Sequence, residues 1–389
     1  MTDLKNIIPE FADEEIDIED DILIEQEEDI EPGEEEITEP FDPTKIRVDT
    51  RPMTIDLVLD RIIHDELDLA PEFQRHPGIW RNVARSRLIE SILIRIPLPA
   101  FYMDATDDDK WLVIDGLQRL TTLKQFVIDK QLRLRGLEYL TEINGKTYDN
   151  LPRKYQRRIL ETQITVYLIE KGTPPEVKFN IFRRINTGGL PLSPQELRHA
   201  LNQGKATKFL AQLADSREFK QVTCLTNTRK QLRMEDRDFV LRFLAFSITP
   251  YNDYKAKSLD VFLNETMADI NTKSDQDLNH LKHKFLQVMV VVYEIFGEYA
   301  FRKRSLENPN QKNPLNKALF EAWSVNFSNL NDQQIQILRE RKETLIDKFI
   351  NLMNKDDKFM NSISQGTDSS SKVKYRFSTI ENLIKEVLI

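Results

Sequence analysis

The sequence predicts an α+β protein in which a mixed N-terminal domain precedes an all-helical C-terminal domain. Strand-like apolar runs alternate with helical patterns in the first half, and helical patterns dominate after Gly204. An acidic, aromatic-poor stretch precedes both. We therefore divide the chain into an acidic disordered tail at 1–45, a mixed domain at 46–205 and a helical domain at 206–389.

The tail and the remainder carry opposite charge. The first 45 residues hold 19 acids and two lysines, a net charge of −17, and few aromatic residues, a composition typical of disorder. The rest holds 45 acids and 53 bases, a net charge of +8. A basic body is compatible with a polyanionic partner such as DNA.

Composition also bears on the cellular compartment of the protein. No apolar run is long enough to cross a bilayer, and no basic-then-apolar leader begins the sequence. The single cysteine, Cys224, cannot form an internal disulfide. We therefore expect a soluble, cytoplasmic protein with no membrane partner.

The first predicted elements are two helices. Thr54 is placed to cap a helix whose apolar residues recur at helical spacing. These residues are Ile55, Val58, Leu59, Ile62 and Ile63. A second helix is predicted over residues 83–96 and ends before Pro97. Its apolar face comprises Leu88, Ile89, Ile92 and Ile96.

Strands are predicted next. AFYM at 100–103 and WLVI at 111–114 flank the turn-forming segment DATDDDK, and ITVYLIE spans 164–170. A helix after Gly116 is expected to bury three apolar side chains. These are Leu120, Leu123 and Val127.

The last helix of the mixed domain has a well-marked start. Ser193, Pro194 and Glu196 supply an N-cap, a proline at the first helical position and the acid of a capping box. Beyond Gly204, patterns such as FVLRFLAFSI predict further helices, and the serine-rich segment 362–372 is expected to be a loop.

Several common sites are absent from the sequence. It contains no G-x-x-x-x-G-K-[ST] phosphate loop, no G-x-G-x-x-G, no C-x-x-C and no H-E-x-x-H. His280 and His283 are three residues apart on a predicted helix, a spacing that suits a metal. Two exposed histidines on an amphipathic helix are more often ordinary surface residues.

The segment WLVIDGLQRLTTLK places an acid, a glycine and an arginine at one strand-to-helix corner. A helix start binds anions, and Gly116 would let a ligand approach the backbone. Arg119 can offer two donors to a phosphate, and Asp115 suits a divalent cation such as Mg²⁺. The alternative interpretation is structural: Asp115 caps the helix and pairs with Arg119.

Two other segments carry groups that bind nucleotides. PEFQRHPGIW contains Gln74 and Arg75, and FRRINTGGLPLSPQELR contains Arg184, Asn186 and Thr187. Each combines a cation with amide or hydroxyl groups. Arginine is also an ordinary surface residue, so neither segment is specific alone.

The segment PRKYQRR is the best local candidate for a DNA-backbone contact. Arg153, Lys154, Arg157 and Arg158 surround Tyr155. Such clusters on basic proteins are as often solvated faces, and this alternative stays open.

Together these motifs resemble the domain in the N-terminal half of the GmrSD type IV restriction endonucleases and of related phage-defence proteins such as SspE. The matching segments are PEFQR, SRLIESILIRIPLPAFY, WLVIDGLQRLTTL and FNIFRRINTGGLPLSPQELRHAL, in the family's order within residues 46–205. The resemblance implies a ParB/sulfiredoxin-like nucleotide-binding domain and nucleotide hydrolysis.

The family's DGQQR signature falls on residues 115–119, and its (Y/F)QR motif falls on residues 74–75. The resemblance thereby implies catalytic roles for Asp115, Gln118 and Arg119 and nucleotide-binding roles for Gly116, Gln74 and Arg75. Leu117 replaces a glutamine of the signature. A leucine side chain cannot hydrogen-bond a base or a water, so nucleotide binding is better supported than hydrolysis.

The sequence thus predicts an NTP-binding, Mg²⁺-dependent NTP-hydrolysing component of a DNA-directed, restriction-like defence system. A purine NTP would lie between residues 74–75, the corner and the NTGG loop. The companion nuclease half of the GmrSD enzymes is not recognisable, so DNA cleavage would need a separate nuclease or other subunit. The alternative is a non-enzymatic DNA-binding or nucleotide-sensing adaptor of ParB-like type.

Overall fold

In the structure, a computed structural model, the chain folds into two compact units. It describes residues 24–25, 47–69, 80–173, 177–178, 181, 193–225, 233–255, 258–308 and 311–389. Of these, residues 47–201 form the sheet unit, and residues 24–25 with 202–389 form the helical unit. In these ranges no helix is both long and apolar enough to cross a membrane.

The sheet unit is built on one mixed sheet of five strands. The strands are β1 (Val48–Thr54), β2 (Leu67–Asp68), β3 (Phe101–Ala105), β4 (Trp111–Asp115) and β5 (Gln163–Glu170). Their order in the sheet is β1-β5-β3-β4-β2. The pairs β1–β5 and β3–β4 are antiparallel, whereas β3–β5 and β2–β4 are parallel.

The first two helices are where the sequence predicts them, except that the second ends earlier than predicted. Helix α1 (Ile55–Ile63) starts as predicted, because the Thr54 side chain accepts from the Leu57 N–H. Helix α2 (Asn82–Leu93) ends three residues before the predicted residue 96. Arg95 adopts a left-handed φ of 68°, and the Ile96 N–H donates to the Ser91 carbonyl at 2.9 Å. This is a Schellman motif, so it ends the helix before the proline does.

Helix α3 (Leu117–Leu123) continues into a π-helical turn at Lys124–Ile128. The wider turn moves Phe126 fully into the core, while Val127 is only partly buried. The predicted burial is confirmed in full for Leu120 and Leu123 and in part for Val127, which packs against the same core. Helix α4 (Arg153–Glu161) leads into β5.

The sheet packs side chains on both faces. One face and helices α1 to α4 enclose the main core, which includes Phe101, Met103 and Val113. On the opposite face Ile114 and Ile169 pack with Leu197 of helix α5 (Pro194–Leu201). Alternation along the strands explains how both faces bury apolar residues.

The described part of the helical unit confirms the all-helical prediction. Its helices are α6 (Lys205–Ala214), α7 (Arg217–Thr223), α8 (Glu235–Ile248), α9 (Leu259–Thr272), α10 (Asp275–Phe296), α11 (Lys317–Ser328), α12 (Asp332–Glu340), α13 (Lys342–Lys355), α14 (Asp357–Ser362) and α15 (Ser370–Leu388). The loop predicted over 362–372 is shorter than expected, because the Ser369 side chain accepts from the Lys372 N–H and starts α15.

Candidate functional site

The candidate site lies where β4 ends and α3 begins. Gly116 occupies the N-cap with a φ of +100°, a conformation that side chains rarely adopt. A Cβ at this position would lie 2.3 Å from Cδ1 of Phe101. Gly116 is therefore required for the tight packing of the corner, before any ligand is considered.

Arg119 fastens this corner to the segment before β3. Its Nη2 donates to Asp115 Oδ2 at 2.9 Å and to the Ala100 carbonyl at 3.1 Å, and its Nη1 donates to the Pro99 carbonyl. The guanidinium carbon lies 4.3 Å from the Phe101 ring centroid. The predicted pairing of Asp115 with Arg119 is thus present, whereas no side-chain cap bond is found at the start of α3.

Asp115 is the more accessible member of this pair. Its side chain is 32% exposed, against 11% for Arg119. Burial raises the pKa of the Asp115 carboxyl, and the Arg119 charge and the Gly116 N–H offset part of that rise. Burial lowers the pKa of Arg119, with Asp115 opposing the change. Asp115 is therefore a partly solvated carboxylate that holds a proton more tightly than an ordinary aspartate. It can accept a cation or a proton.

Leu117 and Gln118 face different surroundings. Leu117 is 7% exposed and belongs to the main core of the sheet unit. Gln118 is partly buried, and its side chain makes no hydrogen bond to any residue that the structure describes. The position at which the sequence departs from the DGQQR signature therefore points into the core, and Gln118 keeps its amide available.

Tyr102 is a neighbour of the corner that the sequence analysis missed. It lies opposite Asp115 in the β3–β4 register and stacks on Tyr167 of β5, with ring centroids 4.8 Å apart. Burial, then the nearby Tyr167 and Asp115, raise the pKa of its hydroxyl. Alternation along AFYM places Tyr102 on the face opposite Phe101, but the stacking partner is distant in sequence.

A second polar cluster lies further along β3. Lys178 Nζ donates to Asp104 Oδ2 at 2.9 Å and also contacts the Thr106 hydroxyl. The Lys178 and Asp104 side chains are only 11% and 12% exposed. This nearly buried ion pair joins the segment after β5 to β3 and was not anticipated from the sequence.

The capping box at the start of α5 is confirmed. The Ser193 hydroxyl accepts from the Glu196 N–H at 3.1 Å, and the Glu196 carboxylate accepts from the Ser193 N–H at 2.5 Å. Pro194 is the first helical residue. Glu196 therefore has a structural role at this helix start.

Five predicted nucleotide-binding residues lie outside the described residues. They are Gln74, Arg75, Arg184, Asn186 and Thr187. Their roles stay predictions.

The four cations of the predicted DNA patch differ in their surroundings on α4. Arg158 donates to the Leu93 carbonyl at 2.7 Å, and Arg157 pairs with Glu161 at 3.7 Å. Arg153 and Lys154 are exposed, with Lys154 Nζ 4.9 Å from the Tyr155 ring centroid. Arg158 helps to attach α4 to the end of α2, so Arg153 and Lys154 are the better candidates for a phosphate contact.

A metal would have few protein ligands in the described part of the chain. No three histidine, cysteine or acidic side chains cluster there closely enough to hold an ion, and His280 and His283 are exposed on α10. Asp115 still fits Mg²⁺ bound with a nucleotide, because such ions use one or two carboxylates together with phosphates and waters.

Comparison with known proteins gives one match. Residues 56–202 match the family model described as the GmrSD restriction endonuclease, N-terminal domain. No curated protein and no solved structure matches the chain. The matched range contains β2 to β5, the corner at 115–119 and helix α5. Residues 56–202 therefore form a domain of the GmrSD N-terminal family.

Proposed function

We propose that the chain is an NTP-binding, Mg²⁺-dependent NTP-hydrolysing component of a DNA-directed defence system, with a ParB/sulfiredoxin-like sheet unit. The observation that carries this proposal is the partly exposed carboxylate of Asp115 beside the available amide of Gln118. Both groups lie at the start of α3, where backbone N–H groups favour an anion.

The roles of the corner residues follow from their exposure. Asp115 would orient Mg²⁺ or the attacking water, and Gln118 would position the nucleotide or that water. Mg²⁺ held at Asp115 would supply positive charge next to the phosphates. Arg119 already uses three of its five N–H donors on Pro99, Ala100 and Asp115, so its main contribution would be to position Asp115.

The alternative is a nucleotide-sensing or DNA-binding adaptor without turnover. The hydrogen bonds that Arg119 already makes favour this alternative, because an arginine side chain that is 11% exposed has little surface left for a transferring phosphate. In this alternative the corner binds nucleotide and Mg²⁺ as a signal. A separate nuclease or another subunit would then act on DNA.

Phosphate release by the full chain, measured with each NTP with and without Mg²⁺ and DNA, tests the proposal. Asp115→Asn should preserve nucleotide binding to within a few-fold and abolish turnover. Asp129→Asn is a matched control, because Asp129 also pairs with a cation, Lys124, at 2.8 Å and is 24% exposed. Binding without release in the wild-type chain would favour the adaptor, and equal turnover in both variants would remove Asp115 from catalysis.

A further inference from the structure

The helical unit carries a short extended segment that already has a peptide-like neighbour. Leu315 forms an antiparallel bridge with Arg302 on one side and a parallel bridge with Ile24 on the other. The Glu25 N–H donates to the Leu315 carbonyl at 2.8 Å. Two residues of the acidic N-terminal region thus add to the edge of this segment as a strand would.

The Glu25 carboxylate is recognised by two side chains. Lys303 Nζ donates to Glu25 Oε1, and Asn316 Nδ2 donates to Glu25 Oε2 at 3.0 Å. The side chains of Lys303 and Glu25 are 21% and 26% exposed, so the ion pair is largely shielded from water. Shielding strengthens a charge-assisted contact relative to one on the open surface.

Asn316 is also held by contacts that do not involve Glu25. It is 4% exposed, its Oδ1 accepts from the Leu319 N–H at 2.8 Å, and its Nδ2 also donates to the Ile363 carbonyl at 2.7 Å. It is the N-cap of α11, a helix of 12 residues, so Glu25 lies next to the positive end of that helix. Lys303 is likewise oriented by Ser364 Oγ at 2.7 Å.

An apolar contact completes the arrangement. Ile24 is partly buried against the main core of the helical unit, next to the fully buried Leu315. Two consecutive residues, Ile24 and Glu25, make all of these contacts: the backbone pairing, the carboxylate bonds and the aliphatic packing. Together they define a short recognition motif, an aliphatic residue followed by glutamate in an extended conformation.

We infer that the surface formed by Lys303, Leu315, Asn316 and Ser364 is a docking site for the chain's own acidic N-terminal segment, occupied through Ile24 and Glu25. The segment contains other isoleucine–acid pairs, at 16–17, 18–19 and 30–31. The pair at 24–25 follows Ile22 and Leu23, which makes it the end of the longest apolar run in the segment. Docking through Ile24 and Glu25 anchors a stretch of net charge −17 to the helical unit.

Hydrogen exchange of the full chain tests this inference. The Glu25 amide, which donates to the Leu315 carbonyl, should exchange at least about tenfold more slowly than in a synthetic peptide of residues 18–31. Glu25→Gln, which changes no residue of 202–389, and Lys303→Met should each remove most of this protection. Lys312→Met is the matched control, because Lys312 pairs with Glu298 at 3.2 Å and not with Glu25, the acid of the segment that the structure describes.

A second measurement asks whether the site is occupied within the chain. The labelled peptide of residues 18–31 should bind full-length Ile24→Asp at least about tenfold more tightly than the wild-type chain, whose own segment competes. Adding Lys303→Met to that variant should abolish the binding. Peptide-like exchange of the Glu25 amide in the wild type, or equal effects of Lys303→Met and Lys312→Met, would overturn the inference.

Discussion

Each unit contains an acid–arginine pair, and the two pairs differ in how much of the acid is exposed. In the sheet unit, Asp115 keeps 32% of its side chain exposed while Arg119 holds it at 2.9 Å. In the helical unit, Glu321 and Arg376 are both 0% exposed. Arg376 Nε donates to Glu321 Oε1 at 2.9 Å, and Arg242 Nη1 lies 3.5 Å from Glu321 Oε2.

The exposure of the acid distinguishes a pair that only stabilises the fold from a pair that can also bind a ligand. Glu321 on α11 joins Arg376 on α15 and Arg242 on α8, so it fixes three helices relative to one another. Asp115 has one such partner and an open side. A buried acid–base pair alone therefore does not identify a site, whereas an acid with a fixed partner and a solvent-facing side is a candidate.

The largest loss of stability is expected when the fully buried Glu321–Arg376 pair is broken. Arg376→Met should reduce the free energy of unfolding of the helical unit by about 3–5 kcal/mol, because it leaves Glu321 buried without its main partner. Urea unfolding measures this. Lys348→Met is the control, since Lys348 pairs with Glu386 at 2.7 Å on the surface and should cost less than about 1 kcal/mol. Similar losses in the two variants would contradict the comparison.

The next effect concerns Arg119. Arg119→Met should lower the stability of the sheet unit by about 2–4 kcal/mol, because it removes three hydrogen bonds and leaves Asp115 without its cation. Unfolding and calorimetric nucleotide titration should be measured on the same variant. If nucleotide affinity falls more than about tenfold while stability is unchanged, Arg119 contacts phosphate and is not chiefly a positioning residue.

A third prediction extends the comparison to an acid at a helix start. Asp236, in the first turn of α8, is 6% exposed, and burial raises its pKa to about 6. Because the folded state holds this proton more tightly, its contribution to stability is present below about pH 4 and is lost as pH rises through about 6. Asp236→Asn should therefore stabilise the helical unit at pH 7 by on the order of 2 kcal/mol, and much less at pH 4.

Thermal unfolding of the wild type and Asp236→Asn across this pH range checks the third prediction. Asp236→Ala separates the charge from the polar contacts of the side chain, since it removes both. A constant difference between the wild type and Asp236→Asn at all pH values would show that the carboxyl does not titrate in this range.

The smallest stability effect is expected on α4. Replacing Arg153 and Lys154 with alanine should change stability by less than about 0.5 kcal/mol, yet reduce the salt dependence of DNA binding by about two phosphate contacts. Arg158→Ala should instead cost about 1 kcal/mol or more, because Arg158 donates to the Leu93 carbonyl. DNA binding that is unchanged at every salt concentration would remove α4 from the interface.

What the sequence predicted correctly is mostly local. The Thr54 cap, the Ser193–Glu196 capping box and the strand at WLVI depend on residues within a few positions of one another. The pairing of Asp115 with Arg119 is local in the same way, since one helical turn separates them.

What it did not predict depends on contacts between distant segments. The bonds of Arg119 to Pro99 and Ala100 arise only after β3 and β4 pair, and the stacking of Tyr102 on Tyr167 needs β3 beside β5. Hydrophobic spacing does not specify which strands become neighbours. For the same reason, the sequence pointed to the corner but assigned Arg119 to phosphate before its carbonyl partners were known.

The order of strands in the sheet has a consequence for aggregation. β1 and β2 stand at the two ends of that order, where unpaired backbone groups can recruit strands from other molecules. β2 is only two residues long, and β1 carries the exposed Arg51 and Pro52. A charged side chain and a residue that lacks an N–H both oppose the growth of a cross-β ladder. Strands of other molecules therefore find little backbone to pair with at either edge of this sheet, even when the protein is concentrated. One edge strand, β2, is short, and the other, β1, is interrupted by Arg51 and Pro52.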